Sequence, residues 1–161
     1  MIAALQGAVF GAGLQIALGA DIRYAAPDAR LSIMEIKWGI IPDMALSCTA
    51  LHLVPGDKIK ELAFTGKVVS GTEAAAAGLV TGLSASPLET AQSLAREIAG
   101  RSPDAIRAIK RLINESWPAD TQGSLRREAE LQLALAGGKN QIEAVAANLE
   151  GRAPNFSDPG R

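Results

Sequence analysis

The sequence predicts an α/β fold, and three observations carry the prediction. Two β-favouring segments, at residues 2–6 and 21–25, bracket a short glycine-punctuated helix at 12–18. Helix-start signals recur from residue 70 onward. Hydrophobic residues make up 48% of the chain but aromatics only 4%, so alanine, leucine, isoleucine and valine do the packing, a composition that suits closely packed helices. At 161 residues the chain fits one domain, able to bury roughly 70% of its unfolded surface.

Each element has a local cause. Ile2-Ala3-Ala4-Leu5 is an unbroken apolar run and reads as a buried strand. Gly7-Ala8-Val9-Phe10-Gly11-Ala12-Gly13 reads as a glycine-rich turn opening the first helix, so that the chain begins β-α-β. Pro27-Asp28 marks a turn, and Leu31-Ser32-Ile33 is a short extended piece leading into Glu35. From Met44 the pattern is almost wholly helical. Ser70-x-x-Glu73 is a capping box ahead of a helix at 72–77, which Gly78 closes in the left-handed conformation before Leu79-Val80 begins a final strand. Ser86-Pro87-Leu88-Glu89 is a second capping box with proline at the first helical position. Helices are then predicted at 87–99, 103–115, 121–136 and 139–150, and the tail from Gly151, with Pro154 and Pro159, is irregular.

Several function classes are excluded at this stage. Sixteen basic and 17 acidic residues give a net charge of −1, with no positive excess for a nucleic-acid backbone. The apolar first 20 residues carry no basic residue and are interrupted by Gln6, Gln15 and glycines, which argues against a signal peptide or membrane span; the expected location is cytoplasmic. Cys48, the single cysteine, cannot form an internal disulfide, and its apolar neighbours predict a small buried side chain. His52 reads as a core histidine at a helix end, and Trp38 and Trp117 as packing residues. Asp21 reads as a turn or ion-pair residue, and no metal site is expected. Gly11-x-Gly13 has Ile16 where a dinucleotide fingerprint needs its third glycine, so no nicotinamide cofactor is expected.

Taken in order, a set of segments resembles the enoyl-CoA hydratase/isomerase family, also called the crotonase superfamily. They are Ile2-Ala3-Ala4-Leu5-Gln6-Gly7, Gly11-Ala12-Gly13-Leu14-Gln15-Ile16-Ala17, Ala20-Asp21-Ile22-Arg23-Tyr24-Ala25 and Met34-Glu35-Ile36-Lys37-Trp38-Gly39-Ile40-Ile41-Pro42-Asp43. Phe64-Thr65-Gly66-Lys67, Glu73-Ala74-Ala75-Ala76-Ala77-Gly78-Leu79-Val80 and Arg152-Ala153-Pro154-Asn155-Phe156 complete the series. The resemblance implies a crotonase-like β-β-α spiral core at 1–85, cut at its N-terminal side, then a helical trimerisation region at 86–150 and a tail at 151–161. It implies an acyl-CoA thioester as substrate, no separate cofactor, and a homotrimer or hexamer.

It also implies roles for residues. Two backbone N–H groups hold the thioester oxygen as an enolate forms, and one of them falls on Ala12, where a middle glycine is more usual. The other belongs to a part of the family domain that no residues here match; one such donor is worth about 3 kcal/mol. Gly11, Gly13 and Pro42 are expected against the substrate. Of the two glutamates that flank water in hydratases, the first falls at Gln15 and the second at Glu35. An amide cannot exchange a proton near neutral pH, so Gln15 orients and polarises only. Acidic side chains at the positions of Glu35 and Asp43 serve a proton shuttle in the family's dienoyl-CoA isomerases, which favours isomerisation. Asp43 can also cap a helix starting at Met44. Arg152 either reaches a CoA phosphate or is an exposed tail arginine.

Overall fold

The α/β reading holds in the computed structural model, which describes residues 1–116 and 121–158. The chain divides into two units, Met1–Ala95 and Arg96–Arg161, with the division inside one helix. In the first unit, strands β1 (Ile2–Leu5), β2 (Ala8–Phe10), β3 (Ile22–Ala25), β4 (Arg30–Ser32), β5 (Val69–Ser70) and β6 (Gly82–Leu83) build two three-stranded sheets. One sheet is parallel throughout in the order β1-β3-β6, and the other pairs β2 with β4 in parallel and β4 with β5 antiparallel. Helices α1 (Ala12–Leu18), α2 (Leu46–Thr49), α3 (Gly56–Thr65) and α4 (Gly71–Ala77) complete this unit, followed by α5 (Pro87–Ala99). Their shared core is aliphatic: Leu14, Leu31, Ile33 and Leu79 are fully buried, with Ala25, Ala29, Ala50 and Ala74 filling the close contacts.

The opening differs from the expected β-α-β in two ways. The glycine-rich stretch holds an additional strand, β2, because the turns at Gly7 and Gly11 leave Ala8–Phe10 extended beside β4. Strand β1 is an edge, so Ile2, Ala3 and Ala4 are only half-buried and Leu5 alone is covered. The final strand forms at Gly82–Leu83, after Leu79-Val80, whose side chains are buried in the core instead. Asp21 makes the expected ion pair, with the amine of Met1.

One buried cation ties these pieces together. Arg23, 4% exposed, donates from Nε to the Leu79 carbonyl at 3.0 Å and from Nη1 to the carbonyls of Leu18 and Ala20. Burial pushes its guanidinium down from the usual arginine range, partly offset by Asp21. The carbonyls left over at the end of α1 thereby gain a charged donor.

Helix α4 starts as predicted. Ser70 Oγ accepts from the Glu73 N–H at 3.1 Å, Glu73 accepts from the Ser70 N–H at 2.7 Å, and Gly78 closes the helix at φ 86°. Its first residue packs against main chain: a Cβ on Gly71 would lie 2.0 Å from the Ala26 carbonyl oxygen. Gly71→Ala is therefore expected to destabilise the protein by about 3 kcal/mol or more, read as a lower urea midpoint at unchanged slope. An unchanged midpoint would contradict this packing. At α5 the predicted box of Ser86 and Glu89 is replaced: the Ser86 N–H goes to Ser84 Oγ at 3.0 Å instead of to Glu89, and the Ser86 carbonyl accepts the Thr90 N–H as an ordinary helix bond.

Three expectations fail because short helical turns redirect side chains. In α2 and the 3-10 helix Ala50–His52, the inward positions are Leu46 and Ala50, four apart. Cys48 and His52 are consequently exposed, against the predicted burial of both. Trp38 ends a 3-10 helix, Glu35–Trp38, whose buried position is Glu35, and is 77% exposed rather than packed. Trp117 lies outside the described residues.

The second unit contains α6 (Pro103–Ser116), α7 (Thr121–Leu135) and α8 (Lys139–Glu150), close to the predicted bounds. Two polar clasps hold the tail onto α8. Buried Asn140 donates to Asp104 Oδ2 at 2.8 Å and to the Ser157 carbonyl at 2.9 Å, and accepts the Ser157 N–H at 2.9 Å. Glu143 receives both Nη groups of Arg152, at 2.6 and 2.9 Å, and the Asn155 N–H at 2.6 Å.

The Arg152 guanidinium and the Asn155 N–H hold the Glu143 carboxyl down, from 4.5 to about 2. Only the carboxylate form is gripped, so its contribution is complete above about pH 4.5 and is lost as the pH falls through about 2. A carbon-detected titration of Glu143 is expected to show that low midpoint, and Arg152→Gln to return it to the ordinary glutamate range. Among the described residues no helix is long and apolar enough to cross a membrane.

Candidate active site

Sheet pairing brings the start of α1 and the residue after β4 together. Phe10 pairs with Ser32, and the Gly11 N–H continues the ladder to the Ser32 carbonyl at 3.0 Å. The chain must then turn sharply into α1, which Gly11 does at φ 52° and ψ −123°, a conformation that favours glycine. On the other strand, the residues beyond Ser32 enter the 3-10 helix whose first residue is Glu35. The two turns are in direct contact: a Cβ on Gly11 would stand 3.2 Å from Glu35 Oε1 and 3.9 Å from Met34 Cγ.

Gln15 and Glu35 meet in this space. Gln15, one turn into α1, is 1% exposed, and Glu35 is 8% exposed. Gln15 Nε2 donates to Glu35 Oε1 at 2.5 Å, and Gln15 Oε1 accepts the Met44 N–H at 2.8 Å. Glu35 Oε2 is buried and has no hydrogen-bond partner. A carboxylate oxygen left without a donor in a covered site is costly unless something else occupies it. The arrangement therefore offers one proton-accepting oxygen, on a carboxylate whose other oxygen lies against the turn into α1.

The helix supplies the complementary charge. Gln15 donates the first bond back to the Gly11 carbonyl, so the N–H groups of Ala12, Gly13 and Leu14 precede the first intrahelical donor and have no acceptor within the helix. Ala45 is the one non-glycine at positive φ among the described residues, so Ala12 has the negative φ that lets alanine stand where glycine is usual. Ala12 and Gly13 are exposed, and a Cβ on Gly13 would meet nothing within 4 Å. Backbone there is open to approach.

The other predicted site residues separate into two groups. Pro42 is half-buried and Asp43 exposed, both in the segment running to Met44. Asp43 does not cap: the helix begins at Leu46, its N-cap is Ala45, and no side chain bonds the exposed N–H groups there. Arg152 belongs to the second unit, where it is exposed and its guanidinium is taken up by Glu143 and Glu150. The Met44 N–H was not among the expected site groups. It acts through main chain, which leaves no side-chain signature to read.

Comparison with known proteins gives a consistent result. A family model described as enoyl-CoA hydratase/isomerase matches residues 1–159. A probable enoyl-CoA hydratase of Bacillus subtilis is 35% identical over 159 residues, covering 97% of this chain and 62% of its own. The 2,3-dehydroadipyl-CoA hydratase of Escherichia coli is 32% identical over 158 residues, again covering 97% and 62%. Among solved structures, the enoyl-CoA hydratase of Bacillus anthracis superposes with a TM-score of 0.93 at 30% identity, over 98% of this chain and 62% of that one. The chain thus spans about 62% of the length of these relatives.

Proposed function

The chain belongs to the enoyl-CoA hydratase/isomerase family, with the crotonase fold, and from that premise we propose that it acts on an acyl-CoA thioester by moving a proton through Glu35. The observation that carries the reading is the Gln15–Glu35 hydrogen bond, which sets Glu35 Oε1 beside Gly11 and leaves Oε2 unpaired. The Ala12 N–H holds the thioester oxygen as negative charge develops on it. Glu35 Oε2 removes a proton from the carbon next to the carbonyl, and the C–H electron pair passes into the enolate. Returning that proton to a more distant carbon of the conjugated chain shifts the double bond and regenerates the carboxylate.

Isomerisation is favoured over hydration on chemical grounds. Water addition needs a second group that exchanges protons, and Gln15 stands where that group belongs. Asp43 is the candidate partner of Glu35 in a dienoyl-type shuttle; its exposure allows it to exchange protons with solvent. Hydration remains the second reading because the relatives are named hydratases. A third, assembly without catalysis, draws on the exposed Leu133, at 76%, and Leu149, at 82%.

The test supplies the protein with a 2-enoyl-CoA, a 3-enoyl-CoA and a dienoyl-CoA of one chain length and separates the products. Positional isomers are expected. A 3-hydroxyacyl-CoA as the sole product would establish hydration instead, and acyl-CoA binding without turnover would leave the assembly reading.

A further inference from the structure

We propose that the main-chain N–H of Met44 is a positioning group for this site: it holds the Gln15 amide in one orientation, so that Gln15 is a fixed donor to Glu35 Oε1 and Oε2 is the one oxygen that handles the substrate's proton. The inference deepens the functional reading above and rests on Glu35 being its acid/base group.

The orientation follows from donor and acceptor chemistry. A backbone N–H only donates, so the end of the Gln15 side chain 2.8 Å from Met44 must be its carbonyl oxygen. The amino group is then forced toward Glu35, 2.5 Å away. Both side chains are buried, so an amide turned the other way would leave the Met44 donor unpaired and set two oxygens against each other. No ionised side chain bonds to Glu35 among the described residues; the charged residues flanking it, Lys37 on its own 3-10 helix and Asp43 beside Met44, are both exposed.

The tether joins the site to a distinctive piece of chain. Residues 39–45 lie between Gly39, at φ 69°, and Ala45, at φ 65°, and carry the exposed side chains of Ile40, Ile41 and Met44. The path from this segment to the base is short: Met44 N–H, Gln15 amide, Glu35 carboxylate. A displacement of Met44 releases the amide, and Gln15 is then no longer a fixed donor to Glu35.

The experiment is an NMR measurement of the Gln15 side-chain amide in the full chain without substrate, reading the solvent-exchange rate of its two Nε2 protons. Two variants are compared with the parent: replacement of Met44 by its α-hydroxy acid, which deletes the N–H while keeping the side chain, and Met44→Leu. The hydroxy-acid protein's amide is expected to exchange about tenfold faster, because its orientation is no longer fixed. Met44→Leu, which keeps the donor, should exchange at the parent rate. A hydroxy-acid protein whose amide exchanges like the parent's overturns the role of Met44, and a parent amide that exchanges as fast as a free glutamine overturns the fixed donor. Acyl-CoA turnover is measured separately: its absence from the parent, with the exchange rates as expected, counts against the proposed function and not against this tether.

Discussion

Glu35→Gln is expected to lower turnover of the preferred acyl-CoA by about 10²–10⁴-fold while changing thioester affinity only a few-fold. The substitution is nearly isosteric and leaves an oxygen able to accept from Gln15 Nε2, so the 2.5 Å contact and the fold can persist. What disappears is the proton-accepting oxygen at the Oε2 position, which has no partner in the resting protein. The split between kcat and affinity separates this loss from a binding defect. Turnover equal to the parent would remove Glu35 from the mechanism, and Asp43→Asn, measured beside it, would show whether the exposed carboxylate carries part of the transfer.

Gln15→Glu is expected to create hydration where the parent shows little, with the rate of 3-hydroxyacyl-CoA formation from a 2-enoyl-CoA rising by about 10²-fold or more. The new carboxyl would stand where Gln15 Nε2 now lies 2.5 Å from Glu35 Oε1. Two carboxylates at that distance cannot both remain ionised, so the pair must share a proton and titrate in two steps. One member then supplies the acid and the other the base that water addition requires. The Met44 N–H, 2.8 Å from the present Gln15 oxygen, favours leaving negative charge on that side. A variant that binds acyl-CoA, titrates as a coupled pair and still forms no hydroxy product would show that a second carboxylate at position 15 is not sufficient for hydration.

Much of this was legible where local chemistry dominates. The bounds of α1, α5 and α8 follow from glycine punctuation, proline at a first helical position and the closing Gly151. The capping box of Ser70 and Glu73 forms as read, because both partners lie within one turn. Gln15 and Glu35 were identified from the order of the segments and meet in the structure. Elements made by partners far along the chain were harder to read. Strand β5 has two residues, too few for alternation to register, and exists because β4 pairs with it. Leu79 and Val80 are as apolar as any strand, yet core packing buries them and the pairing falls on Gly82 and Leu83. Trp38, Cys48 and His52 are exposed against expectation for one reason: an apolar neighbourhood in sequence does not say which face of a tight turn is inward.

The reach of Arg23 bears on the order in which the molecule comes into being. Its guanidinium joins the end of α1 to Leu79, 56 residues further on, and Tyr24 in the same strand awaits Gly82. During vectorial synthesis, at roughly 5–20 residues per second, the segment carrying Gln15 and Glu35 leaves the ribosome several seconds before the strand that completes its sheet. Loop closure over such a span precedes any reward from the contacts it makes. The segment that holds Gln15 and Glu35 is thus made before its scaffold can close, which happens only when the eighties arrive.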